Sequence, residues 1–261
     1  MAIDQNISTV ERRRIILDQL QQNKQVNIAQ LSEQFGVSEV TLRKDMRYLE
    51  NKNLLIRSRG GAMLPVKVGD DLSVKKRMVL NLELKKSIAA AASSLIKEGD
   101  TIILDSGTTL MQLAKHLEKI KKLTVISNAL DIVLKLSEFN NLKIIVPGGI
   151  FRKNSFSLVG ATAVENFQMF RADKYFVSAD GINAEGIFTA NLEEGQIAKI
   201  IMSHAKENIV LIDSSKFDRN GIINFASLSK IHTLVTDKNI PESYLNHFTE
   251  LGIKVVIAED K

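Results

Sequence analysis

Cysteine is absent from the 261 residues, which excludes disulfides, thiolate catalysis, iron–sulfur clusters and cysteine-ligated zinc. The remaining soft ligands are His116, His204, His232 and His247, which are scattered without ligand spacing. No metal and no other cofactor is therefore expected. Apolar runs stay well short of the ~20 residues that a membrane span needs, so no membrane partner is expected. A Gly-x-x-x-x-Gly-Lys-Ser/Thr run is missing, which speaks against a nucleoside-triphosphate loop. The opening Met1-Ala2-Ile3-Asp4 lacks the basic and apolar stretches of a secretory signal, and the expected compartment is the cytoplasm. Internal repeats and low-complexity tracts are also lacking.

What is present is the composition of an ordinary globular protein, 44% hydrophobic and 25% charged, in a chain long enough for one large domain or a small and a medium one. The net charge is +5, compatible with a polyanionic partner. Its placement is uneven. Residues 1 to 66 carry ten Lys/Arg against seven Asp/Glu, while residues 67 to 261 carry 25 against 23.

In that basic first quarter, Ile15, Ile16 and Leu20 share a helical face after Arg12-Arg13-Arg14. A second helix places Ile28, Leu31 and Phe35 together and stops at Gly36, a residue suited to the positive φ of a helix end. After Gly36-Val37-Ser38, the Ser38 hydroxyl is positioned to cap a third helix with Leu42, Met46 and Leu49 inward and Thr41, Arg43, Lys44 and Arg47 outward. Leu54 to Met63, with the basic turn Arg57-Ser58-Arg59-Gly60-Gly61, reads as a two-stranded hairpin, a wing. The pattern is that of a winged helix-turn-helix, in which polar side chains reach base edges and basic ones meet phosphates. A small helical subdomain with a solvated charged face fits the same periodicity.

Arg12, Ile16, Leu20 and, after a 17-residue gap, Ser38-Glu39-Val40-Thr41-Leu42-Arg43-Lys44-Asp45-Met46 resemble the helix-turn-helix signature of the DeoR family of bacterial transcription regulators, and Arg59-Gly60-Gly61-Ala62 resembles its wing. The resemblance implies double-stranded operator DNA as a partner, with Ser38, Thr41 and Arg43 near bases and Lys44, Arg47, Arg57 and Arg59 on phosphates. Asp45 is expected to orient an arginine or serve packing, because a carboxylate near phosphates is repelled.

Residues 64 to 83, with Pro65, Gly69 and Asp70-Asp71, show little periodicity. Residues 67 to 83 read as a linker between a DNA-binding domain, 1 to 66, and a second domain, 84 to 261, whose first helix lies near Leu84 to Ile96. Beyond residue 100, strands at Thr101 to Asp105, Leu123 to Ser127 and Lys143 to Pro147 alternate with helical stretches at 108 to 118 and 129 to 137. Such alternation predicts βαβ units and a parallel sheet. Further strands are expected at Lys174 to Ser178, Ile209 to Asp213, Thr233 to Asp237 and Lys254 to Ile257, with a helix at about Glu193 to Ala205.

Asp105-Ser106-Gly107-Thr108-Thr109 follows a strand and opens a helix. Its unpaired amides and three hydroxyls suit an anion, and Gly107 permits close approach. An ordinary capped turn has the same composition. Polar clusters at other strand ends, Ser127-Asn128, Pro147-Gly148-Gly149, Ser178-Ala179-Asp180-Gly181 and Asp213 to Phe217, would converge on one crevice in an open parallel sheet, although each is also typical turn chemistry.

The order and spacing of these clusters resemble the C-terminal sensor domain of DeoR-family regulators, itself similar to the ribose-5-phosphate isomerase fold. The resemblance implies an α/β chain that senses a phosphorylated sugar and assembles as a homodimer or homotetramer. It places Asp105, Ser106, Gly107, Thr108 and Thr109 on the phosphate, with Asn128, Gly148, Gly149, Asp180, Glu194 and Lys216 completing the site. Asp180, Glu194 and Lys216 resemble the isomerase's acid, base and lysine. Leu110 stands where many members carry a third hydroxyl. A sugar-phosphate isomerase with an attached nucleic-acid-binding module is the alternative, but Gly181-Ile182-Asn183 supplies no second acid after Asp180. Binding without catalysis is therefore expected.

Overall fold

The computed structural model describes residues 7–23, 25–52, 54–58, 60–64 and 71–259. The chain separates into two compact units, one N-terminal and one holding most of the remaining residues.

The N-terminal unit runs α1 (Thr9–Asn23), β1 (Gln25–Asn27), α2 (Ile28–Phe35), α3 (Glu39–Asn51), β2 (Ile56–Ser58) and β3 (Gly61–Met63). Its core gathers the apolar faces read from the sequence: Ile16 and Leu20 from α1, Leu31 and Phe35 from α2, and Leu42, Met46 and Leu49 from α3. The Asn27 side chain accepts from the amides of Ala29 at 2.8 Å and Gln30 at 3.3 Å, capping α2. Gly36 ends that helix at φ 64°, the left-handed conformation in which a Cβ is costly. Ser38 caps α3 through the Thr41 amide at 3.3 Å.

The expected hairpin is part of a three-stranded sheet of order β1-β3-β2. The additional strand β1 pairs Val26 with Ala62. Three residues are too few to show a period, so their pairing comes from a segment more than thirty residues away. Arg59 lies outside the described residues.

After the N-terminal elements come α4 (Val74–Val79), which lies in the second unit up to Met78, and α5 (Leu82–Ser93). This corrects the reading of residues 67 to 83 as linker: among its described part, 71 to 83, α4 and the start of α5 are helical. The Val74 amide donates to the Asn154 carbonyl at 2.7 Å and its side chain is buried. A six-residue helix shows less than two turns of periodicity, and its hold is a long-range contact invisible in local sequence.

There follow β4 (Thr101–Leu104), α6 (Thr108–Ala114), β5 (Leu123–Ser127), α7 (Leu130–Leu136), β6 (Leu142–Ile145), β7 (Ile150–Arg152), β8 (Ser157–Val159), α8 (Ala161–Met169), β9 (Ala172–Val177), β10 (Gly181–Asn183), β11 (Gly186–Thr189), α9 (Leu192–His204), β12 (Ala205–Leu211), β13 (Ile223–Ala226), β14 (Thr233–Asp237), α10 (Glu242–Glu250) and β15 (Lys254–Ala258). Seven strands form one sheet of order β15-β14-β12-β9-β4-β5-β6, and every pairing in it is parallel.

Successive side chains on these strands serve opposite faces. Ile102, Leu104, Phe176, Ile209 and Leu211 pack with α5, α6 and α7, while Ile103, Tyr175, Val177 and Val210 pack with α8, α9 and α10. Burial of both faces is why the strands read as nearly continuous apolar runs. Leu110 belongs to the first of these cores, so its side chain serves packing. The sequence did not foretell the hairpin β7-β8, the small antiparallel sheet β10-β11-β13, or the helices α8 and α10.

Strand order reverses between β4 and β9. From β4 the chain winds outward through β5 and β6, and from β9 it winds the other way through β12, β14 and β15. Loops leaving the carboxyl ends of such neighbouring strands diverge and leave a crevice.

Candidate functional sites

The first candidate surface is α3. Arg43, Lys44 and Arg47 are exposed along one side, opposite the buried Leu42, Met46 and Leu49. Ser38 and Thr41 are less free than expected, since their hydroxyls lie 3.0 Å apart and Ser38 also serves the cap. The Arg43 guanidinium reaches back to Glu39 at 2.6 Å, an exposed pair one turn apart. Such a pair contributes little in water, so Arg43 can exchange it for another acceptor at small cost. Arg57 is bound to Glu50, which accepts from both its side chain and its amide.

Asp45 points the other way. It is 2% exposed and accepts from Arg12 Nε at 2.6 Å and Arg13 Nε at 2.8 Å. Arg12 is itself buried at 6% exposure, and Arg13 also lies over the Tyr48 ring, 3.8 Å from its centroid. The carboxylate thus ties α1 to α3.

The second candidate site is the cleft at the strand-order reversal. The end of β4 contributes Asp105 and Ser106, and the end of β9 contributes Ser178, Ala179 and Asp180. Glu194 and Ala198 of α9 face them, with Thr189 and Phe225 from the small antiparallel sheet. Arg77 of α4 completes the wall. Gly107 is required by the close approach of the two loops: at φ 153° a Cβ there would stand 2.6 Å from Ser178 Oγ.

Each carboxylate is held differently. Asp105 accepts from the Tyr175 hydroxyl at 2.9 Å and the Ser106 amide at 2.7 Å. Burial, reinforced by the nearby Glu194, pushes its pKa up to about 7, against the relief from those hydrogen bonds. The Tyr175 hydroxyl is in turn raised well above its ordinary value, first by burial and then by Asp105. Asp180 Oδ2 accepts from Thr189 Oγ1 at 3.3 Å and the Ala190 amide at 3.0 Å, and its Oδ1 lies 3.6 Å from Arg77 Nη1. Glu194 accepts from Arg152 Nη1 at 3.0 Å, and Arg152 also pairs with Asp71.

Of the residues expected to bind an effector, the structure brings together Asp105, Ser106, Asp180 and Glu194, with Gly107 shaping the loop. Thr108 and Thr109 are buried in the first turn of α6. Asn128 is buried, its Nδ2 donating to the Leu158 carbonyl at 2.9 Å while its Oδ1 has no partner. Gly148 and Gly149 form the turn into β7 instead of a cleft wall. A Cβ on Gly149 would stand 2.8 Å from the Val159 carbonyl oxygen. Lys216, in a short turn after β12, feels the charges of Asp213 and Asp180, which partly offset the lowering of its pKa by burial.

Sequence reading missed Arg77, Arg152 and Tyr175. Arg77 lies in the aperiodic stretch that reads as linker, and Tyr175 looks like any core residue of a strand. Lys85 was missed as well. It is buried at 6% exposure, donates to the Arg77 carbonyl at 2.6 Å, and burial lowers its pKa to about 8.

Comparison with known proteins agrees with this division. Residues 12–68 match the DeoR-like helix-turn-helix domain, and residues 80–238 match the DeoR C terminal sensor domain. The chain is 32% identical to the HTH-type transcriptional repressor GlcR of Bacillus subtilis, over 95% of this chain and 96% of that one. It is 32% identical to the HTH-type transcriptional regulator GolR of Listeria innocua, over 95% and 98%, and 35% identical to the lactose phosphotransferase system repressor of Lactococcus lactis, over 92% and 96%. Among solved structures, a D-ribose-5-phosphate isomerase in complex with phospho-erythronic acid is 20% identical over 52% of this chain and 54% of its own, with a TM-score of 0.40. No helix among the described residues is long and apolar enough to cross a membrane. With both of its units matched and relatives aligned along nearly their whole length, the chain belongs to the DeoR family and is a DNA-binding transcriptional regulator.

Proposed function

We propose that this regulator represses a carbohydrate-utilisation operon and is released from its operator by a phosphorylated sugar or sugar alcohol. The observation that carries the DNA half is α3, whose inner face is locked in the core while Arg43, Lys44 and Arg47 stand exposed on the other. In this reading Ser38, Thr41 and Arg43 address bases, and Lys44, Arg47, Arg57 and Arg59 address phosphates. Arg43→Ala is expected to cost about 1–3 kcal/mol and to relax preference at one base pair. Lys44→Ala should weaken all sequences alike and reduce the salt slope by about one. Fluorescence anisotropy at fixed salt distinguishes them, and an unchanged operator affinity for Arg43→Ala would remove α3 from the reading role.

The sensing half rests on the cleft at the strand-order reversal, with Asp105 to Thr109, Asn128, Gly148, Gly149, Asp180, Glu194 and Lys216 as its proposed residues. Repulsion between Asp105 and a phosphate is reduced because burial favours its neutral form near pH 7. Sensing fits better than turnover. Glu194 is engaged by Arg152, and Asp180 is engaged by Thr189 and Ala190, so neither carboxylate is poised as a free base. Calorimetry on the whole protein should show a sugar phosphate binding at least tenfold more tightly than its unphosphorylated sugar, the roughly 1.5–3 kcal/mol of one charge-assisted contact. Equal affinities would end the phosphate reading.

Release follows if the ligand prefers a form of the protein that fits the operator less well, and cannot exceed that difference in affinity. A homodimer or homotetramer acting in the cytoplasm, with repeated half-sites in its operator, completes the proposal.

A further inference from the structure

We propose that Arg77, on the segment continuing from the DNA-reading unit into the sensor unit, closes the ligand-free cleft and is the receptor for the effector's anionic group. The inference rests on the sensing function proposed above and adds to it the residue through which the ligand acts on the connecting chain.

The segment from Asp71 to Val79 is fastened across the cleft at several points. Asp71 pairs with Arg152, whose other nitrogen holds Glu194. Asn154 Nδ2 donates to the Asp71 carbonyl at 2.7 Å and its carbonyl accepts from the Val74 amide at 2.7 Å. Lys85 Nζ holds the Arg77 carbonyl at 2.6 Å. These contacts bring the Arg77 side chain to the wall of the cleft, where among the described residues that line it Arg77 is the cation, while Arg152 meets Glu194 from behind that lining.

The Arg77 guanidinium is only partly satisfied there. Its Nε is buried without a hydrogen-bond partner, and its Nη1 lies 3.6 Å from Asp180 Oδ1, well beyond the ~2.7–2.9 Å of a charge-assisted hydrogen bond. A guanidinium presents five N–H donors in a rigid fork that matches a phosphate or carboxylate group. A buried donor without an acceptor is costly, and an anion brought into the cleft removes that cost. Asp180 does not depend on Arg77, because Thr189 and Ala190 hold its other oxygen. It stays in place when the arginine turns to a ligand.

Size leads to the same residue. The cavity has a volume of about 20 Å³, room for roughly one water molecule. A phosphorylated sugar is far larger, so the cleft encloses one only if its wall yields. Most of that wall belongs to sheet ends and α9, packed into the main core, whereas α4 has six residues, buries only Val74 and is otherwise held by polar contacts. The wall that yields is the one that carries Arg77.

The test uses the full-length protein with inorganic phosphate as the probe, compared with chloride at equal ionic strength, and follows the melting temperature of the sensor unit. Wild type should be stabilised in a saturable, phosphate-specific manner. Arg77→Gln should bind phosphate about tenfold or more weakly, the loss of one charge-assisted contact, and Arg77→Lys, which keeps the charge without the fork, should recover part of that loss. Without phosphate, Arg77→Gln should speed deuterium uptake in residues 71–79 while β9 and β12 stay protected. Stabilisation of wild type and Arg77→Gln alike overturns the role of Arg77 and leaves the sensing function standing. Stabilisation of neither counts against both. Recovery as full in Arg77→Lys as in wild type overturns the fork-shaped recognition.

Discussion

Replacing Asp45 by Ala is expected to unfold the DNA-reading unit while the sensor unit keeps its own melting transition. The carboxylate is 2% exposed and neutralises Arg12, which is 6% exposed, and the partly buried Arg13. Removing one partner of a buried pair leaves an uncompensated charge and typically costs about 3–5 kcal/mol. A unit of about 60 residues commands little more, on the order of 3–9 kcal/mol at the usual stability per residue. Calorimetry of the full chain should show the N-terminal transition lost or greatly lowered, with operator binding lost in parallel. Asp45→Asn should be milder because an amide still accepts from one arginine. An Asp45→Leu, Arg12→Met double variant should recover much of the stability by removing both charges. An unchanged N-terminal transition in Asp45→Ala would show that the pair contributes nothing.

A second large effect is expected at Asp105. Burial raises its pKa to about 7 in the folded protein, from roughly 3.9 in an unfolded chain. Between those values the folded state holds a proton that the unfolded state has released. The associated stability is complete below pH 4 and is lost as the pH rises to about 7. Asp105→Asn removes this dependence. Its Oδ1 can still accept from Ser106 and its Nδ2 can donate to the Tyr175 oxygen. The variant should match wild type near pH 4 and exceed it at pH 8 by on the order of 2–4 kcal/mol. Urea titrations of the sensor unit across that range test the sign. A wild-type stability that rises from pH 4 to 8 relative to the variant would contradict the burial of this carboxyl.

The elements legible in the sequence are those whose burial leaves a periodic trace. Each helix of the N-terminal unit hides one stripe, so Ile16, Leu20, Leu31, Phe35, Leu42 and Met46 stand at helical spacing and meet in one core. The central strands are buried on both faces, and the runs at Leu123 to Ser127 and Thr233 to Asp237 match the observed β5 and β14. Short elements with no period of their own were not legible. Strand β1 has three residues and exists because β3 comes back to it. Helix α4 has six and exists because Asn154 and Lys85 hold it.

The candidate cleft divides in the same way. Asp105, Ser106 and Asp180 were readable because polar residues at the carboxyl ends of parallel strands face one crevice whatever the details of packing, whereas Glu194, on the helix after antiparallel β11, was indicated by the family resemblance alone. Gly148 and Gly149 have the same local chemistry, yet hairpin β7-β8 uses them to turn the chain. Local composition is shared by turns and sites, and only the path of the chain separates them. By itself the sequence determined a helical N-terminal unit followed by an α/β unit, the exposed polar face of α3, the parallel sheet and the polar loop after β4, because each follows from hydrophobic period and capping. Tertiary structure alone decided that the arginines Asp45 holds are Arg12 and Arg13 of α1, that burial holds Asp105 near neutrality, and that the supposed linker carries Arg77 into the cleft. Those relations join residues dozens of positions apart, and their energies depend on burial and proximity that no local pattern encodes.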